Sequence, residues 1–262
     1  MCRGRIGGVT ENALLVERHP VRGAQTDATG RLAVRALCEL MQESAARHAS
    51  ALELGFDELF PRGLAWVLVQ WSLDVASFPA WREEVTVETW PSGFTERTAT
   101  REFRLLAASG AEAARASSVW MILDLARRRP VRMPEEVRSI RPARPPLSAQ
   151  TSLARLLPPA PVEASVDLAV RWSDLDLNAH VANVAYVDWV LESVPRPLLA
   201  AGSLIRLVLS FRAECRDGAA VRVERGADPD AAPGSVAYRH RVVEASTGKE
   251  LALATTAFCP RG

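Results

Sequence analysis

The sequence predicts an α+β fold in two tandem copies, each a long central helix wrapped by a curved antiparallel sheet. Three observations carry this: an internal repeat offset by 149 residues, one apolar-striped helix in each copy, and a run of strand-like segments behind each helix. The composition agrees, with 48% apolar and 24% charged residues, the balance of a packed globular chain.

The repeat is read first. Val21–Ser44 lies on Val170–Ser193 without a gap. Identical pairs are Val21/Val170, Arg22/Arg171, Asp27/Asp176, Ala33/Ala182, Ala36/Ala185, Glu43/Glu192 and Ser44/Ser193. Both stretches run from an extended segment through a polar turn into a helix. In the first copy the spacing predicts a helix over Leu32–Leu54, with Leu37, Leu40, Met41, Ala45 and His48 on its buried face and Gly55 as its stop. In the second copy it predicts Ala179–Val194, striped by Val184, Val187, Val190, Leu191 and Val194 and closed by Pro195 and Pro197.

Strands follow each helix. The first copy offers Leu64–Val75, Glu84–Trp90, Thr98–Leu106 and Ala116–Leu123; the second offers Ile205–Phe211, Ala219–Glu224, Ser235–Val243 and Leu251–Phe258. A sheet with one apolar face needs a cover, and one long apolar helix supplies it. That is the hotdog arrangement, twice over. The first unit is expected over residues 8–136 and the second over 162–262. Residues 137–161, rich in Pro and Arg, are expected to be the linker.

Charge and cysteine usage exclude several classes. Lys+Arg is 32 against 31 Asp+Glu, far from the basic excess of a nucleic-acid binder. No apolar run approaches the roughly 20 residues of a spanning helix, so no membrane partner is expected. Met1–Gly8 carries Arg3 and Arg5 with no apolar segment behind them, which points to the cytoplasm. Cys2, Cys38, Cys215 and Cys259 lack metal or redox spacing and are expected to be free thiols. Asp-x-Asn-x-His offers too few good ligands for a metal, and His19, His48 and His240 add none at useful spacing. No cofactor is expected.

Chemistry is expected where the copies differ. The turn reads Asp27-Ala28-Thr29-Gly30-Arg31 in the first and Asp176-Leu177-Asn178-Ala179-His180 in the second. Only the second sets a carboxylate, an amide and an imidazole at i, i+2 and i+4. Asp or Asn alone is an ordinary helix cap, and a lone His is more often packed than catalytic. The three together, at an expected helix N-terminus, suit a reaction that develops an oxyanion, such as ester or thioester hydrolysis. A second cluster, Phe211-Arg212-Ala213-Glu214-Cys215, ends a strand-like run. Regular alternation puts Cys215 with the core residues Leu207, Leu209 and Phe211, and Glu214 with Arg212 on the solvent side. A bulge near Arg216–Gly218 would re-aim either one.

Arg171–Val184 and Tyr186–Ser193 strongly resemble the signature of the acyl-acyl-carrier-protein thioesterases. Arg212–Cys215, Thr89–Gly93, Arg101–Phe103 and Ser118–Met121 resemble other segments of that family. The resemblance covers about Thr26 to Cys259. It implies a tandem hotdog that hydrolyses the thioester between a fatty acyl chain and acyl carrier protein in fatty acid biosynthesis. It assigns catalysis to Asp176, Asn178, His180 and Glu214, with Cys215 at the family's nearby cysteine position. Ala182 departs from the pattern, since the family usually has Asn there. The acyl chain is expected in the first unit, and Leu37, Met41, Ala45, Trp66 and Leu68 are the candidate pocket residues, with plain core packing as the alternative for each. Carrier protein is acidic, so Arg127-Arg128-Arg129, Arg132, Arg138, Arg141 and Arg144 are a candidate landing surface, with a solvated linker as the alternative. A homodimer is an allowed arrangement. Rival readings are an acyl-CoA thioesterase of similar fold, a non-catalytic regulator that binds acyl thioesters, and a hotdog dehydratase or hydratase.

Overall fold

A computed structural model gives the fold of residues 13–147 and 153–260. Cys2 and the Met1–Gly8 segment lie outside the described residues, as do positions 9–12, 148–152 and 261–262 of the expected units and linker.

The first half runs β1 (Leu15–Pro20), α1 (Val34–Ala51), α2 (Phe56–Leu59), β2 (Leu64–Val75), β3 (Glu84–Phe94), β4 (Ala99–Leu106), β5 (Glu112–Asp124), β6 (Arg129–Pro130) and α3 (Glu135–Arg138). The second runs β7 (Ala164–Ala169), α4 (Asn183–Glu192), α5 (Arg196–Ala201), β8 (Gly202–Phe211), β9 (Ala220–Ala227), β10 (Val236–Glu244) and β11 (Glu250–Pro260). All the strands join one antiparallel sheet in the order β1-β3-β4-β5-β2-β8-β11-β10-β9-β7, with β6 on β5. Each half therefore repeats one strand order, and the halves meet where β2 pairs β8 from Gln70↔Ser210 to Asp74↔Arg206. This is the tandem hotdog. No helix among the described residues is long and apolar enough to cross a membrane.

One core serves both halves. Leu37 and Met41 of α1 and Val187 and Trp189 of α4 are buried with Trp71, Phe103 and Phe258 of the sheet. Each such side chain removed from water contributes about 1.5–3 kcal/mol. The helices also meet directly: Arg35 on α1 donates to Asp188 on α4 at 2.6 Å.

Both helices are shorter than their apolar periodicity suggested. Ala33 and Ala182 are extended N-caps, so the residues before them belong to the preceding loop. α4 ends at Glu192 and the chain turns at Pro195. α1 has 18 residues against 10 in α4, and its last turns wall a cavity.

The Pro/Arg-rich stretch is not a free linker over its described length. Val137 and Ile140 are buried with Leu54, Leu59, Ile122 and Met133 in a second, smaller core. Further on, Trp90 donates to the Pro145 carbonyl at 3.2 Å, and Gln70 donates to and accepts from the Ala154 backbone at 2.9 and 2.8 Å. Its Pro content suggested an extended tether, but its spaced apolar residues find cover under the end of α1.

Candidate active site

The loop before each helix is built alike. In the first half Asp27 Oδ1 accepts the Thr29 and Arg31 amides at 2.8 and 3.3 Å. In the second, Asp176 Oδ1 accepts the Asn178 and His180 amides at the same distances. The fourth loop residue is left-handed in both: Gly30 at φ 76° and Ala179 at φ 55°. Arg31 and His180 then pair with the segments ahead of the next strands, at Ala80 and Arg216. The scaffold is thus one loop used twice, with side chains exchanged at two positions.

His180 and Glu214 are brought together by this loop, with Asn178 two residues earlier on it. Val181 donates its amide to the Cys215 carbonyl at 2.9 Å, which pins the loop to the chain after β8. His180 Nε2 then lies 3.4 Å from Glu214 Oε2. β8 stops at Phe211, yet the alternation persists beyond it, with Arg212 and Glu214 exposed and Cys215 buried. The expected partner of Glu214 was Arg212; its actual neighbours are His180, Arg216 at 3.9 Å, and Arg128 from the first half. The Arg128 guanidinium bonds Glu214 directly, from a turn residue at φ 50°. Sequence reading placed Arg128 in a landing surface. No local signal pairs it with a carboxylate 86 positions away.

Two expectations about this corner are corrected. The trio does not sit on a helix N-terminus, because α4 begins only at Asn183. Cys215 does not join the cluster: it is 3% exposed and packed in the core, where desolvation pushes its thiol up from the usual range. Asp176 is spent on the loop, its Oδ1 closing the turn. Asp174, not singled out from sequence, is fully buried and accepts the Arg171 amide at 2.9 Å and its guanidinium at 2.9 Å. Its own carbonyl accepts the Ala182 amide at 2.7 Å, which fixes where α4 starts.

An apolar cavity of about 270 Å³ opens beside the loop, with Asn178 in its wall. α1 supplies Ala45, Ala46, Ala49 and Ser50, the strands supply Trp66 and Trp120, and the former linker supplies Val137 and Ile140. Small residues on the last turns of α1 leave the space open. Gly55 lets the chain fold under that helix, since a Cβ there would lie 2.4 Å from Ser50 Oγ and 2.9 Å from its Cα. Trp66 donates to the Leu54 carbonyl at 2.9 Å and fixes the turn. Of the expected pocket residues, Ala45 and Trp66 line the cavity. Leu37, Met41 and Leu68 do not; they lie on the earlier helix turns and mid-strand, inside the main core.

One wall residue is charged. Arg101 reaches His48 Nδ1 at 2.9 Å and Thr89 Oγ1 at 3.2 Å, and burial pushes its guanidinium down to about 10. In the second half the matching register position is Tyr238, with Arg225 stacked 4.4 Å from its ring.

The basic run is largely neutralised. Arg127 bonds Asp124, Arg132 faces Glu96, Arg138 bonds Glu135 and Arg144 bonds Glu88, in addition to the Arg128–Glu214 contact.

Comparison with known proteins follows the same division. Residues 13–140 match the family model for the acyl-ACP thioesterase N-terminal domain, and residues 160–260 match the model for the C-terminal domain. A palmitoyl-acyl carrier protein thioesterase, chloroplastic, of Gossypium hirsutum is 32% identical over 80% of this chain and 54% of its own length. The chain thus spans about half the length of that curated relative. In fold it resembles the 12:0-ACP thioesterase from Umbellularia californica, with TM-score 0.83, 23% identity and 95% of both chains covered. It also resembles an acyl-ACP thioesterase from Bacteroides thetaiotaomicron, with TM-score 0.80, 21% identity, and 95% and 98% covered.

Proposed function

The chain belongs to the acyl-ACP thioesterase family, and on that premise we propose that it hydrolyses the thioester of fatty acyl-acyl carrier protein, releasing the free fatty acid in fatty acid biosynthesis. One observation carries the reading: Asn178 stands in the wall of an apolar cavity while His180 and Glu214 lie two residues and 3.4 Å further on. A fatty chain in the first half brings its carbonyl to the second half's polar corner. The division of labour between residues 8–136 and 162–262 follows.

The side-chain amide of Asn178 has no partner among the described residues, so it is free to donate to the thioester carbonyl. As a water attacks the carbonyl carbon, the oxygen gains charge and that bond strengthens. The Glu214–His180 pair takes the water's proton and delivers it to the departing sulfur. The C–O bond forms, the C–S bond breaks, and the products are a carboxylic acid and a thiol. Asp176 is a positioning residue in this scheme, holding the loop that presents Asn178 and His180. Arg128 orients Glu214 across the boundary between the halves. Cys215 takes no part.

Acyl carrier protein is the proposed partner. The relatives' names place them in chloroplasts. A cytoplasmic setting for this chain is the proposal, supported by the buried thiols Cys38 and Cys215 outside any disulfide. The test is an assay on acyl carrier protein and acyl-CoA thioesters of matched chains, with the free acid detected by mass. Faster release from carrier protein is expected. Binding without release would sink the assignment.

A further inference from the structure

A second cavity, of about 720 Å³, opens on the far side of Glu214. Its wall includes Arg128, Arg212, Glu214, Arg216, Glu244 and Lys249. The two cavities contrast. The first is walled mainly by alanine, leucine and tryptophan and reaches Asn178. The second is walled mainly by charged groups and reaches Glu214. His180 is two residues from the first cavity's Asn178 and 3.4 Å from the second cavity's Glu214.

The cations of the second cavity are unevenly paired. Arg128 is committed to Glu214. Arg216 is left 3.9 Å from that same carboxylate, and Arg212 is 3.9 Å from Glu250, both at the limit of an ion pair. Lys249 forms no ion pair among the described residues. It sits on the turn between β10 and β11, where its backbone is held by Thr247 and Glu244 while its ammonium is left over. By contrast, Arg35 closes on Asp188 at 2.6 Å and Arg239 on Asp228 at 2.9 Å. The carboxylates in the wall are also occupied: Asp217 accepts the Gly218 amide, and Glu244 accepts the Thr247 hydroxyl.

A thioester carried on a pantetheine arm has the same asymmetry about its carbonyl. Hydrocarbon extends one way, and an amide-bearing arm ending in a phosphodiester extends the other. With the carbonyl at Asn178 and the chain in the first cavity, the arm leaves past Glu214 into the second. We infer that Arg212, Arg216 and Lys249 form a subsite for the phosphate of that arm. The inference rests on the function proposed above and adds to it where the carrier end of the substrate lies. A lysine is a compact charge and an arginine a planar fork, and both suit phosphate oxygens.

The test uses two non-hydrolysable thioether analogues with one acyl chain, on pantetheine and on 4′-phosphopantetheine. The wild-type chain is expected to bind the phosphorylated analogue about tenfold more tightly, a gain of about 1.4 kcal/mol. The Arg212→Ala/Lys249→Ala double variant is expected to lose that preference and to bind the pantetheine analogue as the wild type does. Raising salt should erode the preference. Equal affinity for both analogues in the wild type, or a preference that survives the double substitution, overturns the subsite. These readings need no turnover, so they are distinct from failure of the hydrolase assignment. In kinetics the double variant should raise KM and leave kcat alone. A rise on acyl carrier protein alone assigns the phosphate to the protein-borne arm; a rise on acyl-CoA as well assigns it to either carrier; no rise on either counts against the subsite.

Discussion

Asp27 and Asp176 make the same two backbone contacts, 149 residues apart: each accepts the amide two residues on at 2.8 Å and the amide four residues on at 3.3 Å. This equivalence supplies an internal control for the chemistry. Asn in either place keeps an acceptor oxygen for the loop and removes the charge. Asp27→Asn should leave turnover unchanged. Asp176→Asn should lower kcat, because the weaker acceptor loosens the loop that presents Asn178 and His180. Circular dichroism should show both variants folded. Equal turnover in the two would reduce Asp176 to a turn-former.

His180 and Glu214 act as a unit if their 3.4 Å separation is functional. His180→Ala and Glu214→Gln should each cut kcat by about 10²–10⁴-fold, and the double variant should be little worse than the poorer single one. Strictly multiplicative losses would separate the two roles. Arg128→Ala is expected to lower kcat less than either, since it removes the guanidinium that fixes Glu214. Rescue by lysine should be partial, because an ammonium lacks the planar fork.

Ala179 holds a left-handed conformation at φ 55°, where its counterpart is Gly30 at φ 76°. A Cβ in that region costs roughly 1 kcal/mol. Ala179→Gly should therefore raise stability by up to about 1 kcal/mol with activity kept, and Gly30→Ala should lower it by a similar amount. Denaturant midpoints measure both. Opposite signs would mean that the strain is relieved elsewhere.

Much of this was legible from the chain alone. The offset repeat carried the tandem fold, and the exchange of Thr29 and Arg31 for Asn178 and His180 marked the working corner. Legibility failed where long-range packing decides. Glu214 keeps the exposed side that strand parity gave it, but its partners are His180 and Arg128 rather than Arg212, which alternation along one strand does not reveal. Arg128 was grouped with its neighbours because local sequence cannot reveal a partner on another half of the fold. Leu37, Met41 and Ala45 share one helical stripe, yet only the last reaches the cavity. Periodicity reports which face is buried, not whether it meets a side chain or a void.

His240 offers a pH test of the second half. It is wholly buried between Ser193 at 3.0 Å and Thr256 at 2.9 Å, and desolvation, with a smaller contribution from Arg225, pushes it down to about 3. The unfolded chain titrates near 6.5. Between those values the unfolded state binds a proton that the folded state refuses. Stability is therefore complete above pH 6.5 and falls as pH falls, by at most about 1.4 kcal/mol per unit from this residue. His240→Phe, copying Phe103 at the matching register position, should unfold with a shallower acid dependence. Parallel slopes would show that His240 becomes protonated without unfolding.

The cavity makes the sharpest separation between pocket and core. Ala49 faces the open space from α1, whereas Leu37 and Met41 are fully buried about three and two turns earlier. Ala49→Leu should fill part of the 270 Å³ and move the preference toward shorter acyl chains, at little cost in stability. Leu37→Ala and Met41→Ala should each cost about 2–5 kcal/mol by opening a void in packed core, and should leave the ranking of chain lengths as it was. Relative rates on a series of acyl carrier protein thioesters, paired with unfolding curves, read both effects. A changed ranking in Leu37→Ala would return that residue to the pocket. An unchanged ranking in Ala49→Leu would show that the acyl chain is held somewhere else.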